Sequence, residues 1–413
     1  MTAGESSAAY AVEVARLLWP SPWAAPYVTR RRAPVGAGHR DAYLFPGPRN
    51  PRLLVPVDVP GSAAMLERLG GGRGLVGPRA RSLLERSVRS RAFALSHWPV
   101  LRVPAPADDG MESIESYLAG CLGTEVRVGV MLGTRRVNQK PVLPVFDREG
   151  RLHGYAKVGH NDLTRALVRR ETDSLTTLDR HDLHRLRVPR VLHHGRWGAL
   201  EVLVVSPLTT DRREPVSPAV RAAAARELAH LGGVTRSALT GTGFWGRLTD
   251  AADRVVGQPD GPRLAAAARR IEADHGRDRV RLGGWHGDWG SWNMGMRDGV
   301  LHVWDWERYD PEVPVGFDGL HFAAQSVRPG DREAARQEAR FVASVPQLLL
   351  DAGVPSAEHG LTLRLYLLEI ALRYVEALRH GTTPALRRRT AWALSLMERL
   401  AERPLPTPLT EGR

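Results

Sequence analysis

The chain has 413 residues, 43% of them hydrophobic and 25% charged, which is enough for two or three lobes with a sizeable core. Its single cysteine, Cys121, excludes an internal disulfide framework and a multi-cysteine zinc site, and no apolar run reaches the ~18 residues of a membrane helix. The net charge is +13, but the basic residues are scattered and lack zinc-finger spacing, an RNA-binding aromatic signature or a heptad array, so a nucleic-acid partner is disfavoured and an anionic small ligand is favoured. The N-terminal MTAGESSAAY has no basic segment followed by an apolar core, so no signal peptide is expected and a cytoplasmic location is the simplest expectation.

In chain order, residues 1–110 alternate short apolar segments with Pro, Gly and Arg. PRLLVPVDV (51–59) reads as a strand, SAAMLERLG (62–70) as a short helix, RSLLERSVRSRAFAL (81–95) as a helix and VPAPADDG (103–110) as a linker. No function is legible in this region. From 111 the pattern changes. MESIESYLAGCLG (111–123) reads as a helix, EVRVGVMLG (125–133) and VLPVFD (142–147) as strands, and RLHGYAKVG (151–159) as a strand joined to the previous one by a tight REG turn. LTRALVRRETDSLTTL (163–178) has helical spacing, and RVPRVLHHG (187–195) and ALEVLVVSPL (199–208) are two further strands. After Pro207 the chain reads as mostly helical: 217–233, 261–276, and 331–400 with breaks near Gly353–Pro355 and Gly381–Pro384. The expected organisation is an N-terminal extension (1–110), a small lobe (111–208) and a helical lobe (209–413).

Two compositional facts direct attention within this frame. Of 58 Lys plus Arg, only Lys140 and Lys157 are lysines, and asparagine occurs only at 50, 138, 161 and 293. An ammonium retained where guanidinium is the habit has a reason to be compact and re-aimable. Five of the eleven tryptophans lie at 285, 289, 292, 304 and 306, around the stretch WHGDWGSWNMG (285–295) and the following VWDWE (303–307). In that stretch Asp288 can accept a proton from a substrate hydroxyl. Asn293 and Asp305 offer one neutral and one charged oxygen ligand, a set that suits magnesium carrying a polyphosphate. MGM, RDG and VLHVW (294–304) read as a hairpin that returns Asp305 close to Asn293. Upstream, Lys157 lies on a strand and Glu171 on the next helix, so the carboxylate could aim the ammonium. The order strand lysine, helix glutamate, loop aspartate, loop asparagine, metal aspartate is that of phosphoryl-transfer sites.

These residues carry a resemblance. HGDWGSWN resembles the H-G-D-x-x-x-x-N loop of the aminoglycoside phosphotransferase and choline kinase superfamily, DWE (305–307) looks like its metal-binding segment, and DPEVPVGFDGL (310–320) is similar to its D-P-x-x-D-L stretch. The resemblance covers residues 125–330 by motifs and leaves 1–110 without a counterpart. It implies an α+β, bilobal protein-kinase-like fold, with a small antiparallel-sheet N-lobe plus one helix, a larger mostly helical C-lobe, and here an extra N-terminal region. It also implies ATP and Mg2+ as cofactors. Asp288 would be the catalytic base; Asn293 and Asp305 would bind the metal; Lys157 would contact the α- and β-phosphates and Glu171 would hold it. His286 and Asp318 would brace the loop, and Val204, Val205 and Ser206 would meet the adenine.

The sequence departs from the family at the phosphate loop. LGTRRVNQKPVLPV (132–145) has one glycine, Gly133, where backbone amides would need several to reach phosphate. Arg135, Arg136, Asn138 and Lys140 are expected to supply contacts in their place. Trp289 is the expected acceptor contact by stacking, with Trp292 beside it and Glu307 as a second contact. Residues 331–413 hold ten acidic and twelve basic residues, which weakly disfavours a polycationic aminoglycoside. The expected function is ATP- and magnesium-dependent phosphorylation of a hydroxyl on a small molecule: an antibiotic, sugar, nucleoside or amino alcohol. The rival is a pseudokinase-like binding protein without turnover. A homodimer and a cap on the small lobe are both compatible with the N-terminal extension.

Overall fold

Alternating apolar residues and the REG turn build the first hairpin, and the rest of a large sheet assembles around it. The computed structural model describes residues 3–30, 38–70, 78–90, 92–106, 112–133, 139–211, 213–381 and 383–402. Contacts divide the chain into two compact units, Met1–Thr176 with Pro189–Leu208, and Thr177–Val188 with Thr209–Arg413.

The first unit runs α1 (Ala3–Leu18), β1 (Tyr27–Thr29), β2 (His39–Phe45), β3 (Leu53–Pro56), a 3-10 stretch (Pro60–Gly70), α2 (Pro78–Arg89), β4 (Val100–Pro104), α3 (Ile114–Leu122), β5 (Arg127–Val128), β6 (Val130–Met131), β7 (Val142–Phe146), β8 (Leu152–Gly159) and α4 (Asp162–Leu178). After β9 (Leu186–Arg187), which belongs to the other unit, β10 (Val191–Trp197) and β11 (Leu200–Val205) complete it. The strands form one ten-stranded sheet in the order β1-β4-β2-β3-β6-β7-β8-β11-β10, with β5 on β7. The join is β3 with β6, where Leu53 pairs with Met131 and Leu54 with Val130. Residues 1–110 and 111–208, which read as separate segments in the sequence, therefore share a sheet. They also share a core: Val14, Leu18, Leu44 and Leu101 belong to the same buried cluster as Leu143, Val158 and Val202. Each buried Leu or Val of this size contributes about 1.5–3 kcal/mol relative to exposure. Helix α3 starts at a capping box in which Ser113 and Ser116 satisfy each other's backbone amides, and ends at Gly123 with φ 68°.

The second unit contains α5 (Pro218–His230), β12 (Thr235–Ala238), α6 (Gly243–Val255), α7 (Gly261–His275), β13 (Arg279–Trp285), β14 (Met294–Arg297), β15 (Val300–Val303), β16 (Asp310–Pro314), α8 (Phe317–Ala324), α9 (Ala334–Asp351), α10 (His359–His380) and α11 (Pro384–Glu402). Two small sheets sit among the helices, β12-β13-β16 and β14-β15-β9. The first of them, and helix α6, do not stand out in the sequence. β13 (RVRLGGW) carries two glycines that mask its alternation, and one of them is needed. A Cβ on Gly283 would lie 2.1 Å from Ala229 O of α5, so only glycine lets helix and strand approach this closely. The RDG hairpin forms as expected, with Asp298 (φ 53°) and Gly299 (φ 74°) both left-handed, the backbone of a two-residue hairpin turn.

The fold is α+β: an antiparallel sheet with the single long helix α4 between β8 and β10, followed by a mostly helical unit that contains the HGD loop and its hairpin. This is the element order of the protein-kinase-like fold that the motifs imply. Among the described residues no helix is long and apolar enough to cross a membrane.

Candidate active site

In the first unit, Asn161 caps α4 by accepting the Thr164 amide at 2.9 Å, and Thr164 Oγ1 accepts the His160 and Asn161 amides in return. The helix then turns the stripe Thr164, Val168, Glu171, Leu175 toward the sheet, so that Glu171 is 1% exposed. Lys157, in the middle of β8, places Nζ 2.5 Å from Glu171 Oε1. Two nearby carboxylates are engaged or directed elsewhere: Glu201 accepts from Arg169 and His194, and Asp173 is exposed. Lys140, just ahead of β7, brings its Nζ to 3.7 Å from the other oxygen of Glu171, with its side chain largely buried. The only two lysines of the chain therefore meet on one buried carboxylate.

Gly133 is exposed with φ 63° at the start of the stretch expected to cover phosphate. Asn138, with Arg135 and Arg136, lies outside the described residues. The expected adenine contacts, Val204 and Ser206, lie in β11 and just past its end. Val204 lies mid-strand, paired with Ala156 on one side and His193 on the other, so its backbone is enclosed in the sheet. The Ser206 amide donates to Arg190 O at 2.8 Å, and its hydroxyl accepts the Arg190 amide at 2.9 Å.

In the second unit, β13 delivers the loop that carries Asp288. Gly287 takes φ 83°, and a Cβ there would lie 2.4 Å from Arg308 O, so this position requires glycine on two counts. The loop is held from several sides. The buried Asp318 carboxylate accepts the His286 amide at 2.9 Å and the Gly287 amide at 3.3 Å. His286 Nδ1 accepts the Asp288 amide at 3.1 Å, which leaves Nε2–H to donate to Trp304 O at 3.1 Å. His286 thereby ties the loop to the segment that carries Asp305. Burial, against the pull of Asp288 and Asp305, pushes its pKa down and keeps it neutral. From α10, Arg373 donates to Gly287 O at 2.8 Å while lying over the Trp285 ring.

The Asp288 carboxylate itself receives the Asn293 Nδ2 at 2.9 Å and the Trp292 Nε1 at 3.3 Å on Oδ2, and His321 Nε2 lies 3.5 Å from Oδ1. Burial works to raise its pKa, but these donors and the neighbouring imidazoles outweigh it and hold the carboxyl below its usual range. Asp288 is thus ionised at neutral pH. Burial pushes Asp318 the other way, up to about 7, in spite of the two backbone amides and Arg373.

The metal-ligand expectation has a direct test in the Asn293 amide. Its Nδ2 donates both to Asp288 O (3.0 Å) and to Asp288 Oδ2, two groups that only accept. The amide orientation is therefore fixed, with Oδ1 turned away from Asp288. Trp304 N donates to Asn293 O at 3.1 Å and Met294 pairs with Val303, which brings Asp305 beside Asn293 at the foot of the hairpin. Asp305 takes φ 74°, a left-handed conformation uncommon for a non-glycine residue. One amide oxygen and one carboxylate fit the hard-oxygen donor set of Mg2+.

The expected acceptor contact at Trp289 is corrected. Trp289 is 0% exposed and packs edge-on against His286. Trp292 is 52% exposed, with its indole N–H on the Asp288 carboxylate and its carbonyl accepting Trp304 Nε1. Both residues sit in a loop without periodicity, so their exposures were not readable in advance. Glu307 is buried. Asp310 and Glu312 hold Arg247 of α6 at 3.0 and 3.4 Å. No local pattern marks Arg373 or His321, which reach the loop from α10 and α8, or Tyr366, which reaches His321.

Solved structures of small-molecule kinases match this chain. An apo thermostable mutant of aminoglycoside phosphotransferase APH(4)-Ia is similar at 18% identity and a TM-score of 0.47, over 70% of this chain and 98% of that one. The choline kinase LicA from Streptococcus pneumoniae is similar at 14% identity and a TM-score of 0.44, over 69% and 98%. A glucosamine kinase is similar at 15% identity and a TM-score of 0.35, over 64% and 91%. The sequence matches no protein-family model, and no curated protein matches it. At these levels of similarity, the residues of the site and their geometry carry the functional reading.

Proposed function

We propose that this chain is an ATP- and magnesium-dependent phosphotransferase acting on a hydroxyl of a small molecule. The observation that carries the reading is the Asp288–Asn293 pair. An ionised carboxylate is locked by the amide whose oxygen is left for a metal, and both are fixed by His286, Asp318 and Trp304. Asp288 orients the acceptor hydroxyl and takes its proton as the bond to phosphorus forms. Asn293 and Asp305 would hold magnesium, which would supply charge neutralisation on the phosphate oxygens. Lys157, aimed by Glu171, binds phosphate, and Lys140 is the second cation of that function, in place of a glycine-rich loop. Positioning and charge compensation supply the catalysis.

The acceptor is an uncharged hydroxylated ring, a sugar or a nucleoside, in preference to a polyamine. Trp292 offers a half-exposed indole next to the reacting carboxylate. Asp310 and Glu312, two carboxylates that could meet an amine, are engaged with Arg247.

Thermal stability with and without MgATP is the first test, on the wild type and Asp305→Asn. A ligand at a hundred times its dissociation constant stabilises by about 2.7 kcal/mol. A magnesium-dependent upshift that is lost in Asp305→Asn supports the reading, and ADP release on screening sugars and nucleosides then identifies the acceptor. The absence of any shift with ATP or GTP would overturn it. A shift without ADP release from any acceptor or from water would favour a nucleotide-binding protein without turnover.

A further inference from the structure

The loop aspartate has a neighbour that its motif does not predict. His321 lies in α8, three residues after the Asp318 that holds the loop backbone, and is buried. Its Nε2 is 3.5 Å from Asp288 Oδ1, the oxygen that neither Asn293 nor Trp292 touches. On the far side of the ring, Nδ1 is 3.2 Å from the hydroxyl of Tyr366, which is buried in α10. The Trp285 and Tyr366 rings meet the imidazole edge-on and fix its plane.

We propose that Tyr366 and His321 form a hydrogen-bonded chain that positions Asp288: Tyr366 O–H donates to His321 Nδ1, and His321 Nε2–H donates to Asp288 Oδ1. The proposal rests on the reading of Asp288 as the acceptor-orienting carboxylate, and His321 is a positioning residue within it. The direction of the chain follows from the chemistry of its ends. The carboxylate can only accept, so a lone pair on Nε2 facing it would be repulsive, whereas an N–H is attractive. With Nε2 protonated on a neutral ring, Nδ1 must accept, and Tyr366 O–H is the donor beside it. Gln325 Nε2 lies 2.9 Å from His321 Nε2, so the chain requires the Gln325 carboxamide to rotate and offer its oxygen to that N–H, which Gln325 and Asp288 then share. Burial keeps His321 neutral and Tyr366 protonated, consistent with this arrangement, with Arg373 and Arg389 as the nearby cations. The contact at 3.5 Å is long for a hydrogen bond, as catalytic contacts often are before substrate tightens them.

The consequence is a division of labour on one carboxylate. Oδ2 is clamped by Asn293 and Trp292. Among the described residues Oδ1 faces the His321 N–H at 3.5 Å, a long contact shared with Gln325, so it is the oxygen that takes the acceptor proton. Without His321 the carboxylate pivots about Oδ2 and loses its aim.

Two readouts test this. The first is 15N NMR of the His321 ring in the intact protein, compared with Asp288→Asn. Protonation at Nε2, with a shift of that N–H on substitution, is expected. Protonation at Nδ1, or an Nε2–H indifferent to the substitution, would overturn the chain. The second is steady-state MgATP hydrolysis with water as acceptor. His321→Leu should lower kcat by about 10- to 100-fold with KM for MgATP unchanged, and His321→Gln, whose amide can reach the same oxygen, should restore most of it. Tyr366→Phe, which keeps the packing, should give a smaller loss of kcat alone. Equal kcat in all four proteins would sink the proposal, as would a loss confined to KM. Failure of the wild type to hydrolyse or bind MgATP would instead count against the phosphotransferase reading, and the NMR experiment would still decide the chain.

Discussion

Asp318 shows how much one side chain can hold. Its two oxygens take the amides of consecutive loop residues, His286 and Gly287, and fix the backbone just before Asp288. Asn at this position keeps one acceptor and turns an NH2 toward the other amide, so Asp318→Asn should destabilise by about 1–3 kcal/mol. The pH dependence has a definite sign. The folded pKa is about 7 and the ordinary value is 3.8. Between them the folded state keeps a proton that the unfolded chain has lost. Stability from this group is fully present below about pH 4 and declines as pH rises through 7. The advantage of the wild type over Asp318→Asn, measured by urea denaturation, should therefore narrow from pH 4 to pH 7. At the same scale, Asp288→Asn should abolish ADP release while leaving the MgATP-induced thermal shift in place, because Asp288 touches Asn293 without belonging to the proposed metal-ligand pair. Much of this was legible in the sequence, because HGDxxxxN and the D-G turn are local and their spacing is their meaning. His321, Tyr366 and Arg373 were not legible. They reach the loop through tertiary packing of α8 and α10, and a histidine or arginine on a helix carries no mark of what it will touch.

Among elements, the contact of α5 with β13 governs the site. Gly283 brings the strand against the Ala229 carbonyl, and the strand ends two residues before Gly287. Gly283→Ala should push helix and strand apart. A loss of about 1–3 kcal/mol by thermal or urea denaturation is expected, with reduced turnover in whatever folds, since the loop is displaced with the strand. The sequence reading missed this strand because its two glycines break the alternation that announces β structure, while the neighbouring Ala-rich helices drew the region toward a helical reading. The close approach that hides the strand is also what lets it pack.

For the whole molecule, the N-terminal 110 residues are the main surprise. They read as an appendage, yet they contribute β1 to β4 to the ten-stranded sheet, and α1 to its core. Pairing between β3 and β6 is a long-range contact that no local pattern encodes. Deleting 1–110 would strip Val14, Leu18, Leu44 and Leu101 from the cluster that includes Leu143, Val158 and Val202. The truncated chain should be insoluble or lack a cooperative thermal transition by circular dichroism, whereas an appended module would leave the remainder folded.

The scarcity of lysine has a practical side. Apart from its N-terminus, the protein offers an amine-directed reagent only Lys140 and Lys157, both largely buried on Glu171. Acylation of the native protein should stop near one adduct per chain, at the α-amino group, and amine coupling to a surface would present every molecule in a single orientation. Reductive methylation under conditions that admit reagent to the two lysines would add 13C labels at those two sites and the α-amino group alone. Amine chemistry, usually the least selective way to modify a protein, becomes here a reporter of the two lysines held on Glu171.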